Sequence, residues 1–202
     1  MSASAVTLPA RDSGALSLLG MPESRLVEFF ENLDEKPYRA RQIMRWLYQR
    51  HETDYDAMTD LSAALRKQLK EMTSLALPAV LKHEHSDDGT RKWLLDVGAN
   101  QAVETVYIPE PNRGTLCVSS QAGCAIDCAF CATGRQGFNR NLSSAEILSQ
   151  VVLASREIAP AKITNVVFMG MGEPLANYRN VLRSEEHTSE LQSLAYLVCR
   201  LL

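Results

Sequence analysis

Apolar positions recur at helical spacing from about residue 22 to residue 78, and the period changes after that. Pro22, Glu23 and Ser24 open a short helical stretch over residues 26–33, Leu-Val-Glu-Phe-Phe-Glu-Asn-Leu. Pro37 starts a second over 38–50, with Ile43, Met44 and Leu47 on one side. A third begins near Thr59 and Asp60 and carries Leu61, Ala64, Leu65 and Leu69. Together these predict a small helical domain over 21–80. Residues 1–20, rich in Ser, Ala and Gly and without a sustained period, read as a disordered leader.

From residue 91 the pattern turns to strands. Residues 91–97 and 103–108 read as two strands around a turn at 98–101, and 115–119 as a third that runs into a cysteine loop. Ser143-Ser-Ala-Glu146 is a capping-box signal for a helix carrying Ile147, Leu148, Val151 and Val152. Residues 164–169 form another apolar run of strand type. Strand, loop, helix and strand in that order predict one βα unit and the start of the next, as in a parallel sheet or barrel. The last stretch breaks this rhythm. Arg183-Ser-Glu-Glu-His-Thr-Ser-Glu-Leu-Gln-Ser193 resembles the in-frame translation of a sequencing adapter, so 183–202 is read as an artefactual tail outside the fold.

Composition narrows the class without naming a function. With 202 residues, 46% hydrophobic and 22% charged, the chain is long and apolar enough for a core, which excludes disordered and collagen-like classes. The net charge of −3 gives no global basic field. The N-terminus lacks a secretory pattern, and the apolar run 15–20 is far shorter than the roughly 20 residues a bilayer span needs. A cytoplasmic protein without a membrane partner is expected. The five cysteines agree: four crowd into 117–131 and the count is odd, which suits a metal or redox site better than a secreted disulfide framework.

The strongest chemical signal is Cys124-Ala-Ile-Asp-Cys128-Ala-Phe-Cys131. Three thiolates in a loop after a strand can hold one corner of a four-iron cluster and leave one iron open to chelate S-adenosylmethionine. Ala125, Ile126, Ala129 and Phe130 are expected to limit solvent access. The competing reading is a structural zinc site with Cys117 as fourth ligand, in a non-enzymatic zinc-binding RNA module. Zinc sites usually show two paired knuckles, whereas Cys117 stands alone seven positions before Cys124. Among the other candidates, Gly170 and Gly172 allow close backbone approach after the strand 164–169. An ordinary strand-ending turn would look the same. Glu104 sits in a strand, opposite Val103 and Thr105, with a side shared with Val106 expected only through a bulge.

Cys-x3-Cys-x2-Cys resembles the signature of the radical S-adenosylmethionine superfamily. The flanking Val103-Glu-Thr-Val-Tyr-Ile-Pro-Glu110, Cys117-Val-Ser-Ser-Gln-Ala-Gly-Cys124, Gly137-Phe-Asn-Arg-Asn-Leu142 and Met169-Gly-Met-Gly-Glu-Pro-Leu175 resemble, more narrowly, the bacterial dual-specificity RNA adenine-C2 methyltransferases. The resemblance covers roughly 21–182. It implies an N-terminal helical RNA-binding accessory domain at 21–80, then a β-hairpin extension and an incomplete radical (βα)6 partial barrel at 88–182, α+β and α/β overall. It implies that Cys124, Cys128 and Cys131 hold a 4Fe–4S cluster, and that Gly172, Glu173 and Pro174 bind S-adenosylmethionine, with Glu173 receiving the methionyl ammonium. Glu104 would accept the proton at adenine C2.

In that family a distant C-terminal cysteine carries the methyl group, and a cysteine at the position of Cys117 forms the disulfide that releases product. No counterpart of the methyl-carrying cysteine is found, Cys199 is not assigned, and the chain as written is expected to lack methyltransferase activity. The implied partners are 23S rRNA and tRNA, with an electron donor such as a flavodoxin system; a monomer is expected. Independently, 38–50 holds Arg39, Arg41, Arg45 and Arg50 with no acid, interleaved with Tyr38, Trp46 and Tyr48. That mixture suits RNA contact, or a surface helix whose Trp46 and Tyr48 pack inward. His51, His83 and His85 lack a ligand pattern and are expected at the surface.

Overall fold

The apolar stripes of the N-terminal third close on one another as helices. The computed structural model describes residues 15–126 and 128–191. β1 (Leu16–Ser17) leads into α1 (Glu23–Glu31) and α2 (Tyr38–Met44), which passes without a break into a π-wound turn, Arg45–Gln49. α3 (Ala63–Met72) is capped by Ser62, whose Oγ accepts the Leu65 N–H, and it runs into β2 (Thr73–Ser74). Leu26, Phe30, Ile43, Leu47, Leu65 and Leu69 share one core, which Leu61 joins from the turn before α3.

Residues 16–20 belong to this fold and not to a leader. β1 pairs in parallel with β2, Leu18 and Leu19 are buried, and the Gly20 N–H donates to the Tyr48 hydroxyl at 2.8 Å. Two leucines among Ser, Ala and Gly carry no period, so composition alone mislabels them. Residues 1–14 lie outside the described residues.

A five-stranded sheet follows, with β3 (Val80–His85), β4 (Arg91–Gly98), β5 (Gln101–Glu110), β6 (Arg113–Cys117) and β9 (Asn165–Val167) side by side in that order. The β4–β5 turn places Ala99 and Asn100 at φ 52° and 58°, the two-residue hairpin geometry that matches strand twist. Alternation sends Trp93, Leu95, Val103, Thr105, Tyr107, Leu116 and Val166 to one buried face. β3 is exposed along nearly its whole length and has no apolar alternation, which is why the sequence pattern misses it.

The buried face packs on α5 (Ser144–Glu157), which carries the expected capping box of Ser143 and Glu146. Leu148 and Val152 of α5 enter the helical core, while Ile147, Val151 and Ala154 enter the sheet core. One helix thus walls both cores, and it is apolar on more than one face for that reason. α5 connects β6 to β9, and these two strands pair in parallel, so the expected βα unit and the start of the next are present. A short antiparallel pair, β7 (Gln121–Gly123) and β8 (Phe138–Asn141), brackets the cysteine loop with its one-turn α4 (Ala132–Arg135).

After a 3-10 turn, Pro174–Asn177, α6 (Tyr178–Leu191) runs past Arg183 unbroken. Ser184 and His187 are buried, His187 against Tyr48, so the described residues from 183 on belong to the fold and not to a tail outside it. Residues 192–202, including Cys199, lie outside the described residues. No helix among the described residues is long and apolar enough to cross a membrane.

Candidate functional site

β6 ends at Cys117 and β9 at Val167, so both chains leave the parallel pair in the same direction. They stay bonded to each other beyond it. The Val118 N–H donates to Val167 at 2.9 Å, the Gly170 N–H to the Val118 carbonyl at 3.1 Å, and the Ser120 N–H to the Met171 carbonyl at 2.8 Å. The Glu173 N–H donates to Gln121 Oε1 at 2.8 Å.

The two glycines have a steric reason. A Cβ on Gly170 would lie 2.7 Å from the Val118 carbonyl oxygen; on Gly172, at φ +95°, it would collide with Gln121 Cβ. What approaches closely is therefore the stem itself, the Val118 backbone at Gly170 and Gln121 at Gly172. The stem 118–121 and the turn 170–174 form one unit at the C-terminal ends of parallel strands, where ligands of α/β folds gather.

The cysteine loop is pinned at its base. Gly123, at φ +75°, leaves no room for a Cβ against the Gly137 carbonyl, and the Cys124 N–H donates to that carbonyl at 3.1 Å. β7 and β8 close the ladder below it. Gln121 Nε2 reaches Asn141 at 2.7 Å, and Asn177 Nδ2 donates to the Ser120 and Leu142 carbonyls at 2.8 and 2.7 Å. Arg140 of β8 forms a two-pronged pair with Glu146 at 2.7 and 2.9 Å, which fastens the loop to the start of α5. Burial opposes ionisation of Glu146. Arg140 and the Ser143 N–H and hydroxyl outweigh it and hold the carboxyl below its ordinary range.

Cys124, Cys128 and Cys131 are free thiols, each half-exposed. The Cys131 N–H donates to the Cys128 carbonyl at 2.9 Å. The Cys131 thiol is drawn below its usual value by the Gly134 N–H foremost, against desolvation, with Thr133 adding to it. The donor set suits an iron–sulfur cluster: three thiols on one short loop, one of them predisposed to the thiolate. Among the described residues no three His, Cys, Asp or Glu side chains are drawn together as a metal cage, and Asp127 lies outside the description. One expectation fails. Ile126 and Phe130 do not shield the thiols; they are 56% and 92% exposed.

Cys117 and Glu104 lie on the sheet face opposite α5. Val106 pairs with Cys117, and Glu104 stands two residues before Val106. The β4–β5 ladder is regular through 103–107, so Glu104 and Val106 share that face with no bulge, as period two requires. Glu104 pairs with Lys92 at 3.2 Å, and Lys92 also reaches Glu84 at 3.1 Å. The two carboxylates, Glu84 first, hold the Lys92 ammonium above its usual range. Desolvation pushes the Cys117 thiol up, against a hydrogen bond from the Met169 backbone. The neighbours of Cys117 in the sheet are Val106 and Val167, which gives no support to a zinc ligand at this position.

The helical surface divides the arginines from their aromatics. Trp46 and Tyr48 are buried, with the Trp46 indole N–H on Asp60 at 2.5 Å. Arg39 pairs with Glu35 at 3.1 Å, Arg41 with Glu23 at 2.7 Å, and Arg50 lies over the Trp46 ring at 3.9 Å. Tyr38 remains exposed beside the Arg39 guanidinium, and Arg45 is exposed. His83 and His85 are exposed, His83 stacked on Trp93; His51 is half-buried, and desolvation lowers its pKa.

Residues 16–75 match the family of ribosomal RNA large subunit methyltransferase N-terminal domains. The chain is 55% identical over 172 residues to the dual-specificity RNA methyltransferase RlmN of Halorhodospira halophila, covering 85% of this chain and 48% of that protein. It is 50% identical over 186 residues to the protein of the same name from Marinobacter nauticus, covering 90% and 50%. The chain thus spans about half the length of the curated relatives it matches. A crystal structure of a radical SAM methyltransferase from Sphaerobacter thermophilus superimposes with a TM-score of 0.79 at 41% identity, over 84% of this chain and 51% of that one.

Proposed function

We propose, from the premise that the chain is a partial-length member of the dual-specificity RNA methyltransferase family, that it carries the cluster- and S-adenosylmethionine-holding part of an enzyme that methylates C2 of adenine in 23S rRNA and tRNA. The observation that carries this reading is the bonded unit of stem 118–121, turn 170–174 and pinned cysteine loop at one end of the parallel strands. Cys124, Cys128 and Cys131 would hold a 4Fe–4S cluster, which supplies the electron that breaks a carbon–sulfur bond of S-adenosylmethionine.

The chain's own residues take the remaining roles. Gly172, Glu173 and Pro174 receive the methionyl end. One Glu173 oxygen already caps the 3-10 turn through the Leu175 N–H at 3.0 Å, and the carboxylate offers an ammonium a charge-assisted partner. Glu104, on the open sheet face, is the proton acceptor for adenine C2, where it needs hydrogen-bond reach to that proton. Cys117 shares that face. Its raised thiol rests protonated at neutral pH and becomes a nucleophile for disulfide exchange only once ionised.

In this reading 21–80 is an RNA-binding accessory domain, with the exposed Tyr38 and Arg45 as its contacts. Residues 88–182 are the hairpin extension and opening of a (βα)6 partial barrel. A cytoplasmic monomer served by a flavodoxin-like donor completes it. The test is reductive cleavage. The anaerobically reconstituted chain, given dithionite and S-adenosylmethionine, should release 5′-deoxyadenosine, and Cys128→Ser should not. A cluster-loaded wild type that releases none would overturn the assignment.

A further inference from the structure

Ser119 is fully buried, and all of its polar groups are bonded within the candidate site. Its hydroxyl donates to the Glu104 carbonyl at 2.6 Å and accepts the Met171 N–H at 2.9 Å. Its own N–H donates to Gln150 Oε1 at 2.8 Å, and its carbonyl accepts from Gln150 Nε2 at 2.9 Å. Gln150, also fully buried, is held in turn. Its Oε1 accepts the Thr105 hydroxyl at 2.7 Å, and its Nε2 reaches the Glu146 carbonyl at 3.3 Å. The strand of Glu104, the stem of the cysteine loop, the turn before Glu173 and helix α5 therefore meet at two side chains.

We infer that the Ser119–Gln150 pair is a positioning element: it fixes the turn 170–174 and the Glu104 strand against the cysteine loop, and so sets how S-adenosylmethionine is held. A purely structural role would be cheaper to fill. Gln150 lies on the sheet-facing side of α5 with Ile147, Val151 and Ala154, where leucine would bury more favourably. A buried amide with all its bonds made fixes one arrangement of its partners, whereas apolar packing tolerates sliding. No other side chain described here bonds β5, the stem and α5 at once.

The inference rests on the reading that the turn holds S-adenosylmethionine, and the test separates the two. The full 202-residue chain is loaded anaerobically with iron and sulfide, and the electron paramagnetic resonance signal of the reduced cluster is followed as S-adenosylmethionine is added. In Ser119→Ala and Gln150→Met the half-saturating concentration should rise about tenfold, while Ser119→Thr, which keeps the hydroxyl, should recover most of it. Leu65→Ala destabilises the distant helical core and should leave the titration within about twofold of wild type.

Titrations of Ser119→Ala and Gln150→Met that match wild type would overturn the inference and leave the family reading intact. A wild type that takes up no iron or sulfide would overturn both. A measurement on the unloaded wild type needs no variant. The Ser119 and Met171 amides should exchange hydrogen as slowly as the core of β5, and exchange at loop rates would also overturn the inference.

Discussion

Glu104 and Cys117 project from the same face of the sheet, on adjacent strands and one diagonal step apart. Nothing in their sequence separation announces this; the register of β5 against β6 produces it. Their neighbours differ: Glu104 faces Lys92, while Cys117 is flanked by Val106 and Val167.

That difference gives an order of thiol reactivity. Among the four described cysteines of the metal-free chain at pH 7–8, iodoacetamide should label Cys131 fastest, because backbone N–H groups favour its thiolate, and Cys117 slowest. Labelling of Cys117 should rise steeply only as pH climbs past the ordinary thiol value of 9.0. All four thiols lie on one tryptic peptide, 114–135, so its fragmentation spectra assign the label to each cysteine, and Cys117 labelling ahead of Cys131 would contradict the order.

The Arg140–Glu146 pair makes stability depend on acid. The folded Glu146 carboxyl lies below its ordinary value of 4.5, so its contribution is complete above that value and is lost as pH falls through the folded value. Glu146→Gln keeps the capping geometry and removes the charge. It should cost about 1 kcal/mol at pH 7 in urea melts, a partly exposed pair being discounted for screening. The gap from wild type should close below pH 4.5 as the carboxyl protonates.

Gly172→Ala places a Cβ into Gln121 at a backbone φ of +95°. The turn must shift or the stem must, so a loss of about 1–3 kcal/mol is expected, together with weaker S-adenosylmethionine binding. Gly137→Ala is the useful contrast. It also has positive φ, at 74°, but meets nothing within 4 Å, and its cost should be the smaller of the two.

On the helical surface, stability and RNA binding should separate. Trp46→Ala empties a buried site and loses the bond to Asp60, for about 3–5 kcal/mol. Tyr38→Ala and Arg45→Ala should leave the melting curve in place and weaken binding of a ribosomal RNA fragment. The Arg45 change should also flatten the salt dependence, as losing one phosphate contact does.

How much of this is legible in the sequence depends on whether a residue's partners are local. The capping box of Ser143 and Glu146, the strands at 91 and 103, and the loop of Cys124, Cys128 and Cys131 are all short-range patterns, and all appear where the chain predicts them. β3 is invisible because a strand exposed along both faces has no alternation. Leu18 and Leu19 are invisible because the core they join draws in segments distant in sequence, among them Ile43, Leu69 and Leu148. Gln150 reads as a polar interruption of an apolar helix face, and only the fold supplies Ser119 and Thr105 as its partners. Trp46 and Tyr48 mislead in the other direction: aromatics among arginines suit a nucleic-acid surface, yet both rings pack inward while Tyr38 stays out.

The most direct measurement is metal analysis of the chain purified without oxygen. About four irons and four acid-labile sulfides per chain, lost together in Cys124→Ser, Cys128→Ser and Cys131→Ser and retained in Cys117→Ser, are the expected result. About one zinc per chain with no sulfide, lost when Cys117 is replaced, would contradict it.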